Sequence, residues 1–173
     1  MRACKLTILA FGLALAVSDS AQARTFGVEP VGGTCVPDSA TVRADQYETA
    51  GFGVRFGNGV AKIRLLCPLH AAIFNEDDFA FSGMAMSVID ADGMEAGGRI
   101  RAHFRRAVMG TNIWIAIATC DSNTSNITTP HEIFCRFDHP YRPNVFETYW
   151  WDVEIERTTP NVNVEFLGIT IRY

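Results

Sequence analysis

The sequence predicts a single all-β domain, an antiparallel β-sandwich of about eight strands with a jelly-roll or immunoglobulin-like general architecture. Two observations lead to this prediction. Short runs of alternating apolar and polar residues recur along the chain, and clusters of glycine, proline, asparagine and aspartate separate them. No stretch has the apolar periodicity of an amphipathic helix of three turns. We expect disulfides to cross-link the sandwich.

Residues 1–23 have the features of a secretory signal peptide. Arg2 and Lys5 precede the apolar run at residues 6–17, and residues 21–23 match the A-x-A cleavage pattern. The run is shorter than the roughly 20 apolar residues that cross a bilayer, so we expect no membrane span. Residues 24–48 are then a lead-in with the first disulfide cysteine, and residues 49–173 form the body of the same domain. The expected location is secreted or periplasmic.

Charge excludes one class of partner. The chain carries a net charge of −4, and removal of residues 1–23, which contain two basic residues and one acidic residue, makes it −5. A mildly acidic domain is poorly suited to the phosphates of nucleic acids or anionic membranes. The partners that remain are a glycan or another protein.

The cysteines predict two disulfides. Cys4 lies within the signal peptide, which leaves Cys35, Cys67, Cys120 and Cys135. Four cysteines allow three connectivities. We favour Cys35–Cys67 and Cys120–Cys135, because each pair joins two cysteines that follow one another along the sequence. No C-x-x-C spacing occurs, so zinc is disfavoured and no cofactor is predicted.

The first half of the body is predicted to contain a β-hairpin. Residues 49–56 and 60–67 read as its strands, and Gly57-Asn58-Gly59 reads as the tight turn between them. Pro68 ends the second strand because it has no N–H for a ladder. Upstream, we expect a short strand at residues 39–43, and downstream, residues 69–78 are the one place where we expect a short helical turn.

The middle of the chain predicts three more strands and two loops. Residues 79–89 and 99–108 are strands on either side of a turn at residues 90–93, with a break or bulge at Arg106. Residues 113–120 are apolar on both faces, which predicts a central strand. A polar loop follows at residues 121–130, then a short strand at residues 131–137 and a loop at residues 138–144.

The C-terminal stretch from Glu147 to Tyr173 predicts two strands joined through residues 158–161. In the first, Tyr149, Trp151, Val153 and Ile155 form the core face, and Trp150, Asp152, Glu154 and Glu156 form the outer face. In the second, Val164 and Phe166 are followed by a change of phase at Leu167-Gly168, after which Ile169, Ile171 and Tyr173 continue the inward face. A glycine at a phase change indicates a β-bulge.

A basic stripe is the first candidate site. It would line one face of the strand at residues 99–108 and consists of Arg99, Arg101, His103 and Arg105. Such a stripe suits an anion, a sulfated or acidic glycan, or an acidic protein. The favoured alternative is a solvated face balanced by the acids of the neighbouring strand, which are Asp152, Glu154 and Glu156.

Two tryptophans are the second candidate. Trp150 is predicted to point away from the core, and Trp114 is a candidate for the same outer face. Exposed aromatic rings on a sheet can stack against the apolar faces of sugars. The alternative, that these rings fill the core or a cleft beneath a loop, is the more common fate of tryptophan.

An acidic turn is the third candidate. Asp90, Asp92 and Gly93, with Glu95 nearby, resemble a fragment of a calcium loop, and residues 75–78 would add acidic ligands if the loops converge. The glutamate at the EF-hand position is missing. Ordinary turn chemistry is favoured, so no metal site is predicted and Asp90 and Asp92 remain weak calcium candidates.

These observations favour an exported, non-catalytic protein with a binding, interaction or structural role. No nucleophile motif occurs, the four histidines are scattered, and no acid–base pair is singled out. We therefore predict no catalytic residues. Two alternatives stay open: a carbohydrate-binding module that uses the exposed tryptophans, and a small secreted hydrolase whose site is assembled from distant loops.

Overall fold

The computed structural model describes residues 25–30, 35–38, 47–50, 53–57, 61–69, 80–142, 144 and 146–172. Within these ranges the chain forms eleven strands: β1 (Thr25–Pro30), β2 (Val36–Pro37), β3 (Tyr47–Ala50), β4 (Gly53–Phe56), β5 (Ala61–Pro68), β6 (Phe81–Asp90), β7 (Gly98–Val108), β8 (Trp114–Asp121), β9 (His131–Tyr141), β10 (Glu147–Arg157) and β11 (Val164–Arg172). They pack as two antiparallel sheets. The predicted all-β sandwich is confirmed, with more strands than the sequence indicated.

The sheets have distinct orders. One has six strands, in the order β3-β4-β11-β6-β9, and β1 also pairs with β11. The other has five strands, in the order β2-β5-β10-β7-β8. β10 lies at the centre of the five-stranded sheet and pairs with β7 along its whole length, from Glu147 to Arg157. β10 and β11 therefore lie in opposite sheets, and the connection between them crosses the sandwich.

The core lies between the sheets and follows the predicted alternation. The inward residues Tyr149, Trp151, Val153 and Ile155 are all buried, as predicted. Phe104 of β7 is the central aromatic residue of the core, with its ring centre 5.9 Å from Phe81, 5.6 Å from Phe137 and 5.7 Å from Trp151. Burial of each large side chain contributes roughly 1.5–3 kcal/mol to stability.

The bulge predicted in the last strand is confirmed. The pairing of β11 with β6 shifts register between Phe166 and Gly168. Residues on both sides of the shift reach the core: Val164, Phe166, Ile169 and Ile171. The extra residue restores the inward direction of the side chains after the change of phase. Tyr173 lies outside the described residues.

Both predicted disulfides are present. Cys35–Cys67 joins the lead-in to β5, and Cys120–Cys135 joins β8 to β9. β8 and β9 are the end strands of opposite sheets, so the second disulfide closes one side of the sandwich. With sequence separations of 32 and 15 residues, each bond contributes roughly 3–4 kcal/mol by the loop-entropy estimate.

The predicted hairpin over residues 49–67 is wrong. β4 pairs with β3 and β11 in the six-stranded sheet, whereas β5 pairs with β2 and β10 in the five-stranded sheet. The tight hairpin is instead β3–β4, in which Ala50 lies opposite Gly53. A side chain at Gly53 would collide with Glu165 of β11, so glycine permits this close approach. The end of β5 at Pro68 is as predicted.

The central position predicted for residues 113–120 is also wrong. β8 is the end strand of the five-stranded sheet among the described strands. Ile113 is 58% exposed, Trp114 60% and Ile115 44%. The apolar residues of β8 have two different environments. Ile117 packs against the core, whereas the residues at the beginning of the strand are exposed to solvent.

Smaller differences concern strand ends. β9 continues to Tyr141 where a loop was expected, and Pro140 is tolerated because β9 is an end strand of its sheet. β7 reaches Val108, as predicted, and its pairing with β8 shifts register between Phe104 and Arg105, next to the break expected at Arg106. Residues 1–23, 39–43 and 70–78, where a signal peptide, a strand and a helical turn were expected, lie outside the described residues. None of the described helices is long and apolar enough to cross a membrane.

Replacement of Phe104 tests the aromatic core. We expect Phe104→Ala to lower the free energy of unfolding by about 3–5 kcal/mol, because it removes a fully buried ring and leaves a cavity. Phe134→Ala is the matched control, since Phe134 is 49% exposed and its loss is expected to cost no more than about 1 kcal/mol. Urea denaturation of the oxidised proteins measures both changes. Equal losses in the two variants would contradict the assignment.

Candidate functional site

The outer face of the five-stranded sheet carries the basic stripe and the tryptophans predicted from the sequence. β10 lies between β5 and β7, and residues directly opposite each other in paired strands face the same side of a sheet. The rows across the three strands are Pro68–Trp150–Arg105, Leu66–Asp152–His103, Arg64–Glu154–Arg101 and Lys62–Glu156–Arg99. This surface therefore has a charged half, formed by the last two rows, and an aromatic half, formed by the first two.

In the charged half, cations and anions pair closely. Lys62 Nζ lies 3.0 Å from Glu154 Oε2 and 2.9 Å from Glu156 Oε1. Arg101 Nη2 lies 3.0 and 3.1 Å from the same two atoms. Arg99 pairs with Asp121 of β8. The arginines Arg99 and Arg101 are thus held in ion pairs on the sheet surface, and their charges are balanced.

The pKa of Glu156 is lowered by these ion pairs. Burial alone would raise the pKa of its carboxyl, but the hydrogen bond and charge of Lys62, with the charge of Arg101, outweigh burial and bring the pKa below its usual value. The carboxylate is therefore ionised at neutral pH and acts as a fixed partner for the two cations.

His103 does not add a positive charge to the stripe at neutral pH. Its Nδ1 lies 2.9 Å from Thr119 Oγ1 of β8. Burial and the nearby positive charge of Arg105 lower the pKa of the imidazole below its ordinary value. His103 therefore occupies the centre of this face as a neutral, hydrogen-bonded side chain.

The aromatic half contains a cavity of about 360 Å³. This volume lies within the range of small-ligand sites, roughly 300–1,000 Å³. The residues that line the cavity are Arg64, Leu66, Arg105, Trp114, Trp150 and Asp152. Both tryptophans and one arginine that were candidates from the sequence therefore meet at one place. Trp114 is 60% exposed, and Trp150 is half-buried.

A bulge in β8 places Trp114 beside this cavity. Phe104 pairs with Ala118 and Arg105 with Ala116, so Ile117 is the extra residue. The extra residue turns the side chains of β8 that precede it to the opposite face of the sheet. Trp114, which lies opposite Ala107, therefore shares the outer face with Arg105. The guanidinium carbon of Arg105 lies 4.6 Å from the centre of the Trp114 ring, in a cation–π contact.

Asp152 holds the two arginines of the cavity in place. Arg64 donates from Nε to Asp152 Oδ1 at 2.6 Å and from Nη2 to Oδ2 at 2.5 Å. Arg105 Nε forms an ion pair with the same Oδ2 at 3.0 Å. The Asp152 side chain is only 1% exposed. Both of its oxygens are therefore engaged by protein cations.

The pKa values of this cluster follow from that geometry. Burial would raise the pKa of Asp152, but the hydrogen bonds and charge of Arg64 and the charge of Arg105 outweigh it, so the pKa lies below its usual value. The same hydrogen bonds raise the pKa of Arg64. Asp152 therefore stays ionised at neutral pH, and two guanidinium groups face one carboxylate in the lining.

The lining also contains residues that the site predictions did not include. Arg64 and Leu66 were assigned to the alternating strand at residues 60–67, but no site role was predicted for them. Asp152 was expected only to balance the arginine stripe. The signal that would have found Arg64 is the pairing of β5 with β10, because that pairing places Leu66 opposite Asp152 and Arg64 in the next row, opposite Glu154.

The acidic turn at Asp90 and Asp92 is stabilised by its own hydrogen bonds. Asp92 Oδ2 accepts from Gly97 N at 2.7 Å and from Gly98 N at 3.0 Å. Ser122 Oγ donates to Asp90 Oδ2. Gly93 has a φ of 63°, the left-handed conformation that favours glycine. These contacts are turn chemistry, the alternative favoured from the sequence.

Calcium binding at this turn stays a hypothesis. Oδ1 of Asp90 and Oδ1 of Asp92 are buried without a hydrogen-bond partner. No group of three His, Cys, Asp or Glu side chains suited to a metal ion occurs in the described part of the chain. Residues 75–78 lie outside it. Burial and the adjacent Asp92 raise the pKa of Asp90 to about 6, so this carboxyl retains its proton in mildly acidic solution.

Comparison with known proteins gives similarity of fold only. No family model matches the sequence, and no curated protein sequence matches it. The family 30 carbohydrate-binding module of the cellulosomal cellulase Cel9D-Cel44B of Clostridium thermocellum is 13% identical, with 83% of this chain and 84% of that chain covered and a TM-score of 0.44.

Two further carbohydrate-binding modules are similar at the same level. TmCBM61, solved in complex with β-1,4-galactotriose, is 13% identical over 80% of this chain and 86% of that chain, with a TM-score of 0.40. The C-terminal family 22 module of Clostridium thermocellum Xyn10B is 12% identical over 86% and 92%, with a TM-score of 0.41. At these values the ligands of those modules carry no argument for this chain.

The pKa of Asp90 predicts an unusual dependence of stability on pH. Because the pKa is about 6 in the folded protein and roughly 3.9 in an unfolded chain, the folded state binds the proton more tightly. The stability that the folded protein gains from the protonated Asp90 is fully present below the pKa of Asp90 in the unfolded chain. It is lost as the pH rises through the pKa of Asp90 in the folded protein. In the absence of divalent cations, we expect the free energy of unfolding of Asp90→Asn to rise by about 1–3 kcal/mol relative to that of wild type as the pH increases from 4 to 7.

Urea denaturation at the two pH values measures this difference. Asp121→Asn is the control, because the hydrogen bonds and charge of Arg99 outweigh burial and lower the pKa of Asp121, which moves its titration away from that range. The difference in free energy of unfolding between Asp121→Asn and wild type is expected to stay nearly constant between pH 4 and pH 7. The interpretation is contradicted if Asp90→Asn and wild type change in parallel between pH 4 and pH 7.

Proposed function

We propose that the protein is an exported, non-catalytic binding protein that holds a carbohydrate in the cavity between Trp114 and Trp150. One observation carries this proposal. Two tryptophans from different strands line a single cavity whose other lining includes charged groups able to hydrogen-bond. That combination of apolar surface and fixed polar groups is typical of small-ligand sites.

The chemistry of sugars explains why a carbohydrate suits this arrangement. A pyranose ring has apolar C–H faces and a polar rim of hydroxyls, so it requires flat apolar contacts and hydrogen-bonding groups together. Trp150 and Trp114 offer the first, and Arg64 and Arg105 offer the second. The 60% exposure of Trp114 leaves much of its ring in contact with solvent, and a stacked sugar would remove that apolar area from water.

Binding fits the cavity better than hydrolysis. Glycoside hydrolysis generally uses a pair of carboxyl groups, one of which donates a proton. The described lining carries one carboxylate, Asp152, whose oxygens are both held by arginines and whose lowered pKa keeps it ionised. It therefore serves as a structural charge. A hydrolase site assembled from other loops stays a hypothesis without supporting geometry at this cavity.

Export forms part of the proposal. The two disulfides are of the kind that persist in oxidising compartments. The signal-peptide features of residues 1–23 provide the sequence basis for secretion or periplasmic location.

Replacement of the tryptophans tests carbohydrate binding. We expect wild type to bind at least one oligosaccharide in a panel of soluble glycans, and Trp150→Ala and Trp114→Ala each to weaken that binding about ten-fold or more, because each removes one stacking surface. Isothermal titration calorimetry of the oxidised proteins provides the dissociation constants. Circular dichroism shows whether each variant keeps the fold.

Phe134→Ala is the matched control for the loss of an exposed aromatic ring. Phe134 lies on β9 of the six-stranded sheet, away from the cavity, and its removal is expected to leave glycan binding unchanged. The proposal fails if wild type binds no glycan, or if Trp114→Ala, Trp150→Ala and Phe134→Ala all bind as wild type does.

A further inference from the structure

The described side chains that line the cavity include hydrogen-bond donors but no free acceptor. A guanidinium is only a donor and an ionised carboxylate is only an acceptor. Asp152 is the one acceptor side chain in the described lining, and it is engaged by Arg64 at 2.6 and 2.5 Å and by Arg105 at 3.0 Å. A ligand that reaches this place therefore meets cationic donors and must supply the acceptors itself.

Arg105 is the less satisfied of the two cations. Arg64 forms two aligned hydrogen bonds with Asp152. Arg105 meets Asp152 only through its buried Nε, and no hydrogen bond joins its guanidinium to the described residues. The contact with Trp114 at 4.6 Å holds the guanidinium against the aromatic ring. Its position is thus fixed, and its terminal Nη1 and Nη2 groups are the donors that a ligand could use.

Arg105 shares its one acidic partner, Asp152, with Arg64. Two guanidinium groups share one carboxylate in the cavity, whereas Arg99 and Arg101 are balanced by acidic neighbours on the same face. Asp38 also forms an ion pair with Arg64 at 3.8 Å, so the second acid of this cluster lies with Arg64. The whole chain has a net charge of −4, so a highly charged polyanion would be repelled at long range. Arg105, whose one acidic partner is shared with Arg64, suits a ligand with isolated acidic groups.

We propose that the glycan bound here carries a uronic acid, and that its carboxylate lies against Arg105 while the sugar ring contacts the tryptophans. Guanidinium and carboxylate have matching planar geometry and form strong charge-assisted hydrogen bonds. Arg64 is the second donor in reach of such a group. This inference rests on the proposed carbohydrate binding and adds the chemical class of the sugar.

Matched oligosaccharides test the inference in wild-type protein. Oligosaccharides that carry a single galacturonic or glucuronic acid residue are compared as free acids, as their methyl esters, and as the neutral oligosaccharides with galactose or glucose in its place and the same linkage. We expect at least one free acid to bind about ten-fold more tightly than its own ester, because esterification removes the charge and leaves the ring intact. Calorimetry at low and at physiological salt measures the ratio.

Two variants locate the effect. Arg105→Gln is expected to reduce the preference for free acid over ester to nearly one while binding of the ester is retained. Arg101→Gln is the matched control: it lies on the same strand and face and loses the same charge, but its ion pairs are outside the cavity. It is expected to keep the ten-fold preference.

The outcomes separate the two proposals. Equal binding of acid and ester overturns the uronic-acid inference and leaves carbohydrate binding intact. A preference that survives in Arg105→Gln overturns the role of Arg105. Tighter binding of a matched sulfated oligosaccharide overturns the choice of a carboxylate. If no glycan of any kind binds, carbohydrate binding itself fails, and the inference fails with it.

Discussion

The buried carboxylate of Asp152 is the constraint on which the candidate site depends. A charge that is almost fully removed from water is tolerated only when it is paired. Asp152 lies on the central strand β10, and its partners Arg64 and Arg105 come from β5 and β7 on either side. The need to satisfy one carboxylate therefore fixes two guanidinium groups, and Arg105 in turn lies against Trp114. The pairing of Asp152 with the two arginines therefore determines both the shape and the charge of the cavity.

Alternation in the sequence identified the faces of strands but not their neighbours. It placed Trp151 in the core and Trp150 outside it, and the phase change at Gly168 identified the bulge in β11. Sheet order depends on contacts between distant segments, so the pairing of β5 with β10 was missed and a hairpin with β4 was predicted instead. The same limitation made β8 appear central, because an apolar run does not reveal which face lacks a partner.

The same limitation explains how much of the candidate site the sequence revealed. Trp150, Trp114 and Arg105 were identified as single residues, but their convergence depends on the bulge at Ile117, which has no glycine or proline to mark it. On one strand, β7, the arginines consequently differ in role. Arg99 and Arg101 join an ion-pair network of the sheet surface, whereas Arg105 lies two residues beyond His103, at the cavity.

The closure of one side of the sandwich by Cys120–Cys135 has a consequence for handling the protein. β8 presents an unpaired edge among the described strands, with exposed Ile113, Trp114 and Ile115 at its beginning. Apolar sheet edges of this kind template the addition of strands from other chains. Reduction of the disulfide would release β8 from β9 and make this edge more accessible. Production in a reducing cytosol would consequently favour insoluble aggregates, and oxidative folding would protect the chain from them.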